Sequence, residues 1–367
     1  MSRHWQDLRH MRHALVLAAR GLGQVAPNPA VGCVIVAPSG QVVGRGRTGP
    51  GGRPHAETQA LAQAGARARG ATAYVTLEPC AHVGHTPPCA GALIDAGIAR
   101  VVAALQDPDP RVKGAGFARL REAEVEVETD VLAAEARKLN QGFLLRIEQG
   151  RPLVTLKIAH SLDGHSAAAS GESQWITSEE ARRYGHMLRA QHDAILVGIE
   201  TVLADDPLLT CRLSGLEGRS PLRVVLDSRL RLGERFRLAQ TASAVPSLVF
   251  TTSAEARPGL SELGVEVLPV AGEARGRPDI DAVLSSLAAR GITRLLVEGG
   301  PSVQASFINR GRADRLEIFS APMLLGAAGR SSVGALAALG LEEAPRFVRE
   351  SVRVFGPDLL ESYSARA

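Results

Sequence analysis

The sequence predicts an α/β protein with two domains, and three observations lead to this fold class. Its 367 residues are enough for two domains of about 100–200 residues, each with its own hydrophobic core. Short apolar runs alternate with helical patterns along most of the chain, as in sheets covered by helices. Near residues 147–151 this pattern loosens at the turn-forming sequence Gln149-Gly150-Arg151-Pro152, and a new series of apolar runs follows.

The first half begins with a predicted amphipathic helix and continues with strands and helices in alternation. Near the N-terminus, apolar residues recur every three or four positions, at Trp5, Leu8, Met11, Leu15, Ala18 and Leu22. Apolar runs predict strands at 31–37, 72–77 and 101–105, and helical patterns predict helices at 55–68 and 88–98.

The second half carries a longer series of predicted strands, and it shows no repeat of the first half. Its strand candidates are 153–158, 194–197, 222–226, 247–250, 265–270, 294–297 and 316–320. We therefore expect two different domains rather than a duplication, at residues 1–148 and 149–367.

Composition excludes several classes of protein. The longest apolar runs have about seven residues, against the ~20 that a membrane span needs, and 38 glycines with 21 prolines are too few for low complexity. Four cysteines do not make a disulfide scaffold, and the N-terminal apolar stretch is too interrupted for a secretory signal, so we expect a cytoplasmic protein. The net charge of +4 lies in residues 1–150 and suits nucleic acid and a phosphorylated small molecule equally.

The most specific local pattern is His55-Ala56-Glu57, followed by Glu78-Pro79-Cys80 and by Cys89. One imidazole and two thiolates are ligands that zinc takes in catalytic sites, with a fourth position left for water. Zinc nucleobase deaminases carry His-x-Glu and Pro-Cys-x-x-Cys, and their glutamate is an acid–base group rather than a ligand. Although eight residues separate the cysteines here, the pattern predicts one zinc ion on His55, Cys80 and Cys89, with Glu57 as the catalytic acid–base group.

Other interpretations of the nearby residues remain open. The two cysteines could be buried core residues, and His82 or His85 could compete for the same metal. Asn28 precedes a buried strand, where its amide could meet the edge of a heterocycle or form a simple turn. Cys33 lies within an apolar run and is predicted to be core, and Cys211 receives no role.

These motifs together resemble the family of bifunctional riboflavin-biosynthesis deaminase/reductases. The matching segments are Asn28-Pro29-x-Val31-Gly32, His55-Ala56-Glu57, Thr76-Leu77-Glu78-Pro79-Cys80-Ala81-His82, Thr86-Pro87-Pro88-Cys89 and Asp107-Pro108-Asp109-Pro110. The long loop between the cysteines distinguishes this family from tRNA and cytidine deaminases. The resemblance extends over nearly the whole chain, and it implies a cytidine-deaminase-like three-layer α/β/α domain followed by a dihydrofolate-reductase-like α/β domain.

The second half contains a turn that suits a phosphate. The pair Gly299-Gly300 joins a predicted strand to a helix, where backbone N–H groups can approach an anion; tight-turn packing is the alternative. No Gly-x-Gly-x-x-Gly follows the first strand of this half, so the dinucleotide fingerprint of Rossmann folds is missing. Arg189 and Arg212 could hold a substrate phosphate through charge-assisted hydrogen bonds.

The family resemblance implies roles for particular residues of the second half. NADPH binding is implied for Ala159, Trp175, Thr201, Asp205, Ser228, Gly300, Pro301, Ser302, Val303, Gln304, Ala305 and Ser306. Contact with the ribose-phosphate substrate is implied for Ser173, Arg189, Leu209, Arg212 and Glu298, and Asn28 is the substrate-binding candidate of the first half. The implied cofactors are one zinc ion per chain and NADPH.

The implied reactions act on one phosphorylated pyrimidine. The first removes an amino group from the pyrimidine by hydrolysis, and the second reduces its ribosyl chain to ribityl with NADPH. We expect a homo-oligomer that binds neither nucleic acid nor membrane.

Two classes of protein stand as alternatives to this interpretation. A nucleic-acid-editing zinc deaminase with an accessory domain would need a basic, aromatic-rich face, whereas aromatic residues make up 4% of the chain. A structural zinc protein would have no use for Glu57 and would favour four protein ligands. Binding of tRNA tests the first alternative, and release of ammonia tests the second.

Overall fold

The protein divides into two compact units in a computed structural model. The units are Met1–Arg151 and Pro152–Ala367, and the structure describes residues 2–81, 87–109, 113–273 and 276–366. His82 and His85, the alternative metal ligands, lie outside the described residues. Within these ranges no helix combines the length and the apolar character that crossing a bilayer requires.

The first unit is a three-layer α/β/α structure. Its helices are α1 (Arg3–Ala19), α2 (Ala56–Ala64), α3 (Cys89–Asp95), α4 (Ala115–Glu122), α5 (Ala133–Leu139) and α6 (Gln141–Gln149). Its strands are β1 (Gly32–Val36), β2 (Val42–Arg47), β3 (Thr72–Val75), β4 (Arg100–Ala103) and β5 (Glu126–Glu128), in the order β2-β1-β3-β4-β5. Strands β3, β4 and β5 are parallel, and β1 is antiparallel to both of its neighbours.

Alternate residues of each strand enter two different cores, which is why the apolar runs are continuous. Cys33 and Ile35 of β1 pack with α2 and α3 on one face, whereas Val34 and Val36 pack with α1 and α5 on the other. The prediction of Cys33 as a core residue is confirmed, since it is 0% exposed. A sheet that is buried on both faces shows no alternation in its sequence.

Strand β2 was missing from the sequence-based prediction because glycines interrupt it. A Cβ atom on Gly46 would lie 2.0 Å from the carbonyl oxygen of Ala56, and one on Gly44 would lie 2.2 Å from that of Ala60. The glycines therefore let α2 lie directly against the sheet, which positions the start of this helix. The predicted helix 55–68 is α2 followed by a 3₁₀ turn at Gly65–Ala68.

The second unit is a larger α/β structure. Its strands are β6 (Leu153–Ser161), β7 (His165–Ala167), β8 (Ala194–Gly198), β9 (Leu222–Leu226), β10 (Ser247–Thr251), β11 (Val265–Pro269), β12 (Arg294–Val297), β13 (Arg315–Ala321), β14 (Arg330–Ser331), β15 (Phe347–Phe355) and β16 (Asp358–Ala365). Its helices are α7 (Glu179–Ala190), α8 (Ile199–Asp205), α9 (Arg237–Gln240), α10 (Pro258–Glu262), α11 (Ile280–Ala289) and α12 (Pro301–Asn309).

The strand order of the main sheet places a crevice at the carboxyl ends of two central strands, β8 and β12. The order is β11-β10-β9-β8-β12-β6-β13-β16-β15, and β8 and β12 are parallel neighbours. Helix α8 follows β8 into one core, whereas α12 follows β12 into the core on the opposite face of the sheet. Where the helices after two adjacent strands diverge to opposite faces, the carboxyl ends of the strands border a crevice that binds ligands in open α/β sheets.

Candidate functional site

The three predicted zinc ligands of the first unit lie together. His55 precedes α2 as its N-cap residue, Cys89 is the first residue of α3, and Cys80 lies on the segment between β3 and α3. Their ligand atoms all lie within 4.8 Å of one another. The carboxyl edge of the sheet and two helix N-termini therefore bring together one imidazole and two thiols from distant parts of the sequence.

The distances within this group fit a zinc ion. The Nδ1 atom of His55 lies 3.2 Å from Sγ of Cys89 and 3.7 Å from Sγ of Cys80. Tetrahedral zinc with Zn–S bonds of ~2.3 Å and Zn–N bonds of ~2.0 Å separates its nitrogen and sulfur ligands by about 3.5 Å. Hydrogen bonds from Cys89 and from His55 lower the pKa of Cys80 to about 4, so this sulfur is readily a thiolate.

Glu57 lies beside the metal-ligand group in the first turn of α2. It is 4% exposed, and its burial raises its pKa to about 7. The pKa of this carboxyl group is shifted by His55, Cys80 and Cys89. Glu57 also lines the same cleft as His55 and Cys80, so its carboxyl group lies close to the ligand atoms. Because it does not belong to the set of ligand atoms, Glu57 is placed to exchange a proton next to the metal.

The metal-ligand group opens into a cleft of about 300 Å³. Asn28 lines this cleft, and its Nδ2 atom donates a hydrogen bond of 3.2 Å to the carbonyl oxygen of Gly51. A Cβ atom on Gly52 would lie 2.0 Å from the same Nδ2 atom, so the absence of a side chain there leaves room for the amide. The structure thus brings Asn28 to the same cleft as Glu57.

Glu78 has a structural role that the motif alone did not reveal. It is 3% exposed, and its carboxylate accepts hydrogen bonds from the backbone N–H groups of Asp107, Gly114, Gly116 and Phe117. It therefore fixes the segment after β4 against the segment that carries Cys80. The available signal in the sequence was an acidic residue directly before Pro79-Cys80, in a stretch without Lys or Arg between Arg69 and Arg100.

The second unit gathers many of its predicted residues at the crevice between β8 and β12. A Cβ atom on Gly300 would lie 3.9 Å from Oγ1 of Thr201, so the first turns of α8 and α12 are adjacent. A Cβ atom on Gly299 would lie 2.8 Å from that of Val303, which requires a glycine at this turn. Asp205 ends α8, Ala159 lies on β6, and Ser228 follows β9 at the same edge of the sheet.

Two residues of the implied NADPH segment point into the protein. Gln304 is 2% exposed, and its Nε2 atom donates to the carbonyl oxygens of Lys157 and Gly299. Ala305 is 5% exposed. These side chains pack α12 against the sheet. Any contact of this segment with a cofactor therefore falls to its backbone and to the side chains that are not buried, namely Pro301, Ser302, Val303 and Ser306.

A partly buried cluster of charged residues lies at the carboxyl ends of these strands. Arg189 of α7 donates two hydrogen bonds of 2.9 Å to the two carboxylate oxygens of Glu298, and a third of 3.1 Å to the carbonyl oxygen of Thr210. Nζ of Lys157 lies 4.0 Å from the same carboxylate. Burial opposes ionisation of Glu298, but Arg189 and Lys157 outweigh it and lower the pKa of Glu298 to about 2.

Sequence reasoning missed two members of this cluster, Lys157 and His186. Nδ1 of His186 lies 3.1 Å from the carbonyl oxygen of Thr210 and 3.3 Å from the backbone nitrogen of Arg212. Burial and the proximity of Arg189 lower the pKa of Arg212, which places the two predicted phosphate-binding arginines near each other. His186 and Arg189 are three residues apart on one helix, and this spacing was the available signal.

Two other substrate candidates, Leu209 and Ser173, and the NADPH candidate Trp175 lie on loops of the second unit. Leu209 is buried at 3% exposure, with a left-handed backbone at φ 54°. Ser173 is half-buried on the loop before α7, and Trp175 is 65% exposed with the Arg182 guanidinium 4.5 Å from its ring centroid.

Comparison with protein families agrees with both sites. The model of the cytidine and deoxycytidylate deaminase zinc-binding region matches residues 4–105, and that of the RibD C-terminal domain matches residues 152–360. The fold and the two sites define a bifunctional enzyme, a deaminase joined to a reductase, with zinc and NADPH as its cofactors.

Individual relatives identify the family. RibD, the riboflavin biosynthesis protein of Escherichia coli K12, is 43% identical over 96% of this chain and 98% of its own length. RibD of Aquifex aeolicus is 42% identical over 96% and 97%. The chain is also similar to two solved structures, and each comparison covers 100% of both chains. One is Acinetobacter baumannii RibD, form 1, with 39% identity and a TM-score of 0.90. The other is a Thermotoga maritima diaminohydroxyphosphoribosylaminopyrimidine deaminase/5-amino-6-(5-phosphoribosylamino)uracil reductase, with 36% identity and a TM-score of 0.89. The chain belongs to the RibD family of riboflavin biosynthesis enzymes.

Proposed function

We propose that the first unit deaminates a diaminohydroxyphosphoribosylaminopyrimidine and that the second unit reduces the product, a 5-amino-6-(5-phosphoribosylamino)uracil. The name of the Thermotoga maritima relative supplies these two substrates. The observation that carries the proposal is the zinc-ligand group beside Glu57 in one unit, and the crevice between β8 and β12 with its neighbouring arginines in the other unit supports the second reaction. We place the enzyme in the cytoplasm as a homo-oligomer.

In the deaminase, His55, Cys80 and Cys89 hold the metal and Glu57 moves the protons. When bound, zinc acts as a Lewis acid that makes water nucleophilic at neutral pH. A carboxylate oxygen of Glu57 accepts the proton of the attacking water and passes it to the pyrimidine ring nitrogen. Glu57 then takes the proton of the newly attached hydroxyl group and transfers it to the departing amino group. The C–N bond breaks as the carbonyl forms, so that the pyrimidine and water give the uracil and ammonia. Asn28, which lines the same cleft, presents its amide to the edge of the heterocycle.

In the reductase, the crevice between β8 and β12 holds two phosphorylated ligands. NADPH supplies the hydride that opens the ribosyl ring to a ribityl chain. Thr201, Asp205 and Ser228 line the cofactor side with Ala159, Trp175 and the first turn of α12, whose backbone N–H groups suit the cofactor phosphates. The substrate side is formed by Ser173, Leu209 and the charged cluster, in which Glu298 orients Arg189 and Lys157 while Arg212 adds a positive charge.

A product analysis tests this function directly. Purified protein is incubated with the diamino pyrimidine, with and without NADPH, and the products are identified by mass spectrometry. We expect ammonia and the aminouracil without NADPH, and the ribitylamino compound when NADPH is present. Unchanged diamino pyrimidine after incubation with zinc-loaded protein would overturn the proposal.

A further inference from the structure

The last helix of the first unit forms one wall of the deaminase cleft. Phe143, Arg146 and Ile147 of α6 all line the cleft. They are spaced by three and four residues, so they share one face of the helix. Phe143 is 8% exposed, whereas Arg146 and Ile147 are half-buried, so the exposure of this face increases along the helix.

Helix α6 is fixed in place against the cleft. Asn140, the residue before α6, is 3% exposed and forms two hydrogen bonds with the backbone of Ala30. Its Oδ1 atom accepts from the Ala30 N–H at 2.9 Å, and its Nδ2 atom donates to the Ala30 carbonyl oxygen at 3.0 Å. Ala30 lies two residues after Asn28, so the start of α6 is held by the loop that carries Asn28. The position of Arg146 is therefore built into the unit.

Charged side chains of both signs line the described part of the cleft. Four acidic residues line it, namely Glu57, Glu78, Asp107 and Asp109. The cations among the described lining residues are Arg53 and Arg146. Arg53 lies two residues before the zinc ligand His55 and so belongs to the metal end. Arg146 lies on α6, a helix that carries none of the three metal ligands.

The substrate of the proposed deaminase has a matching polarity. The amino group that leaves is on the pyrimidine ring, whereas the phosphate lies at the far end of the ribose. With the pyrimidine at the zinc ligands, a phosphate dianion is repelled by the acidic lining and attracted to a guanidinium, which binds phosphate through two parallel hydrogen bonds.

We propose that Arg146 on α6 forms the phosphate-binding subsite of the deaminase cleft and makes this site selective for the phosphorylated pyrimidine. The inference rests on the proposed function. It agrees with the extent of the family matches, because the deaminase zinc-binding region ends at residue 105 and the reductase match begins at residue 152. Helix α6 thus lies in a stretch that neither match covers. Specificity for the phosphorylated substrate is expected in such a stretch, because the zinc-binding region itself is shared with cytidine deaminases.

Steady-state deamination of two substrates tests the subsite. The substrates are the phosphorylated pyrimidine and the same compound after removal of its phosphate. Wild-type enzyme should favour the phosphorylated form, and Arg146→Ala should reduce kcat/KM for that form by about ten- to hundredfold through KM, as expected for one charge-assisted contact. Deamination of the dephosphorylated form should not change. Arg146→Lys should retain part of the preference, since it keeps the charge without the fork geometry.

The matched control is Arg137→Ala, which removes an exposed arginine from α5 outside the cleft lining and should leave both substrates unaffected. Zinc content shows that each variant is folded, and Arg146→Lys carries the test if the alanine variant loses its zinc. Full retention of the phosphate preference in the position-146 variants, or an equal loss for both substrates, would overturn the inference. Failure of wild-type enzyme to deaminate either substrate would instead overturn the proposed function.

Discussion

Replacement of Glu298 by glutamine should destabilise the second unit in a pH-dependent way. The side chain of Glu298 is 10% exposed and accepts two hydrogen bonds of 2.9 Å from Arg189. Glutamine keeps the size of the side chain but removes its charge. Arg189 and Lys157 then remain as two neighbouring, partly buried cations without this counter-charge.

The size of the effect follows from two independent arguments. The pKa of Glu298 falls from 4.5 to about 2 in the folded protein, which corresponds to about 3 kcal/mol at neutral pH because a tenfold change in acidity is worth ~1.4 kcal/mol. Removal of one partner of a buried ion pair costs about 3–5 kcal/mol. Since the folded-state pKa is the lower one, this stabilisation is present above pH ~4.5 and is lost as the pH falls towards about 2.

Urea titrations measure this loss of unfolding free energy for the second unit. The readout is hydrogen exchange of peptides from β6, β8 and β12. The difference between wild type and Glu298→Gln should be about 3 kcal/mol near pH ~7 and should shrink steadily below pH ~4.5. The matched control is Glu266→Gln, which breaks a half-exposed ion pair with Arg290 and should cost about 0–1 kcal/mol. A difference that stays constant down to pH ~3, or that equals the control, would refute the reasoning.

Three further predictions concern the sites themselves. Cys80→Ser should abolish zinc binding, measured by elemental analysis, because a hydroxyl replaces a thiolate. The control Cys33→Ala should retain its full zinc content. Zinc in the serine variant would remove Cys80 from the ligand set. Glu57→Gln should lower deamination by about 10²–10⁴-fold while zinc content and reduction of the aminouracil persist, and an active variant would exclude Glu57 as the proton carrier. Arg212→Ala should raise the KM of the reductase substrate by about ten- to hundredfold with the Kd of NADPH unchanged, and an unaltered KM would place Arg212 outside the site.

The central strands of both sheets were largely predictable because they are buried on both faces. The predicted strands at 222–226 and 294–297 coincide with β9 and β12. Strand β5 and the β15–β16 hairpin were not predicted. Residues of β15 between its ends are exposed and include Arg349, Glu350 and Arg353, so an apolar run was missing there. Exposed edge strands carry charged residues, and their sequences then resemble loops.

Functional residues were recognisable in the sequence where their residue types, in the observed spacing, occur in few kinds of site. His55, Glu57, Cys80 and Cys89 form a pattern that few other functions need, and their order along the chain already indicated a metal site. Lys157 and His186 were not recognisable, because lysine and histidine on a strand and a helix are ordinary residues. The Arg189–Glu298 pair joins residues more than a hundred positions apart, and only the adjacency of α7 and β12 reveals it.

By itself, the sequence determined the α/β class, the change of pattern near residues 147–151, the set of candidate zinc ligands and the position of the glycine turn at Gly299-Gly300. These properties depend on residue type and local spacing, which are written directly in the chain. The tertiary structure alone decided that β12 lies between β6 and β8, that α6 forms a wall of the deaminase cleft, and that Lys157 shares a carboxylate with Arg189. Strand order and long-range contacts arise from how separate elements pack, and local patterns carry no information about which distant element becomes a neighbour.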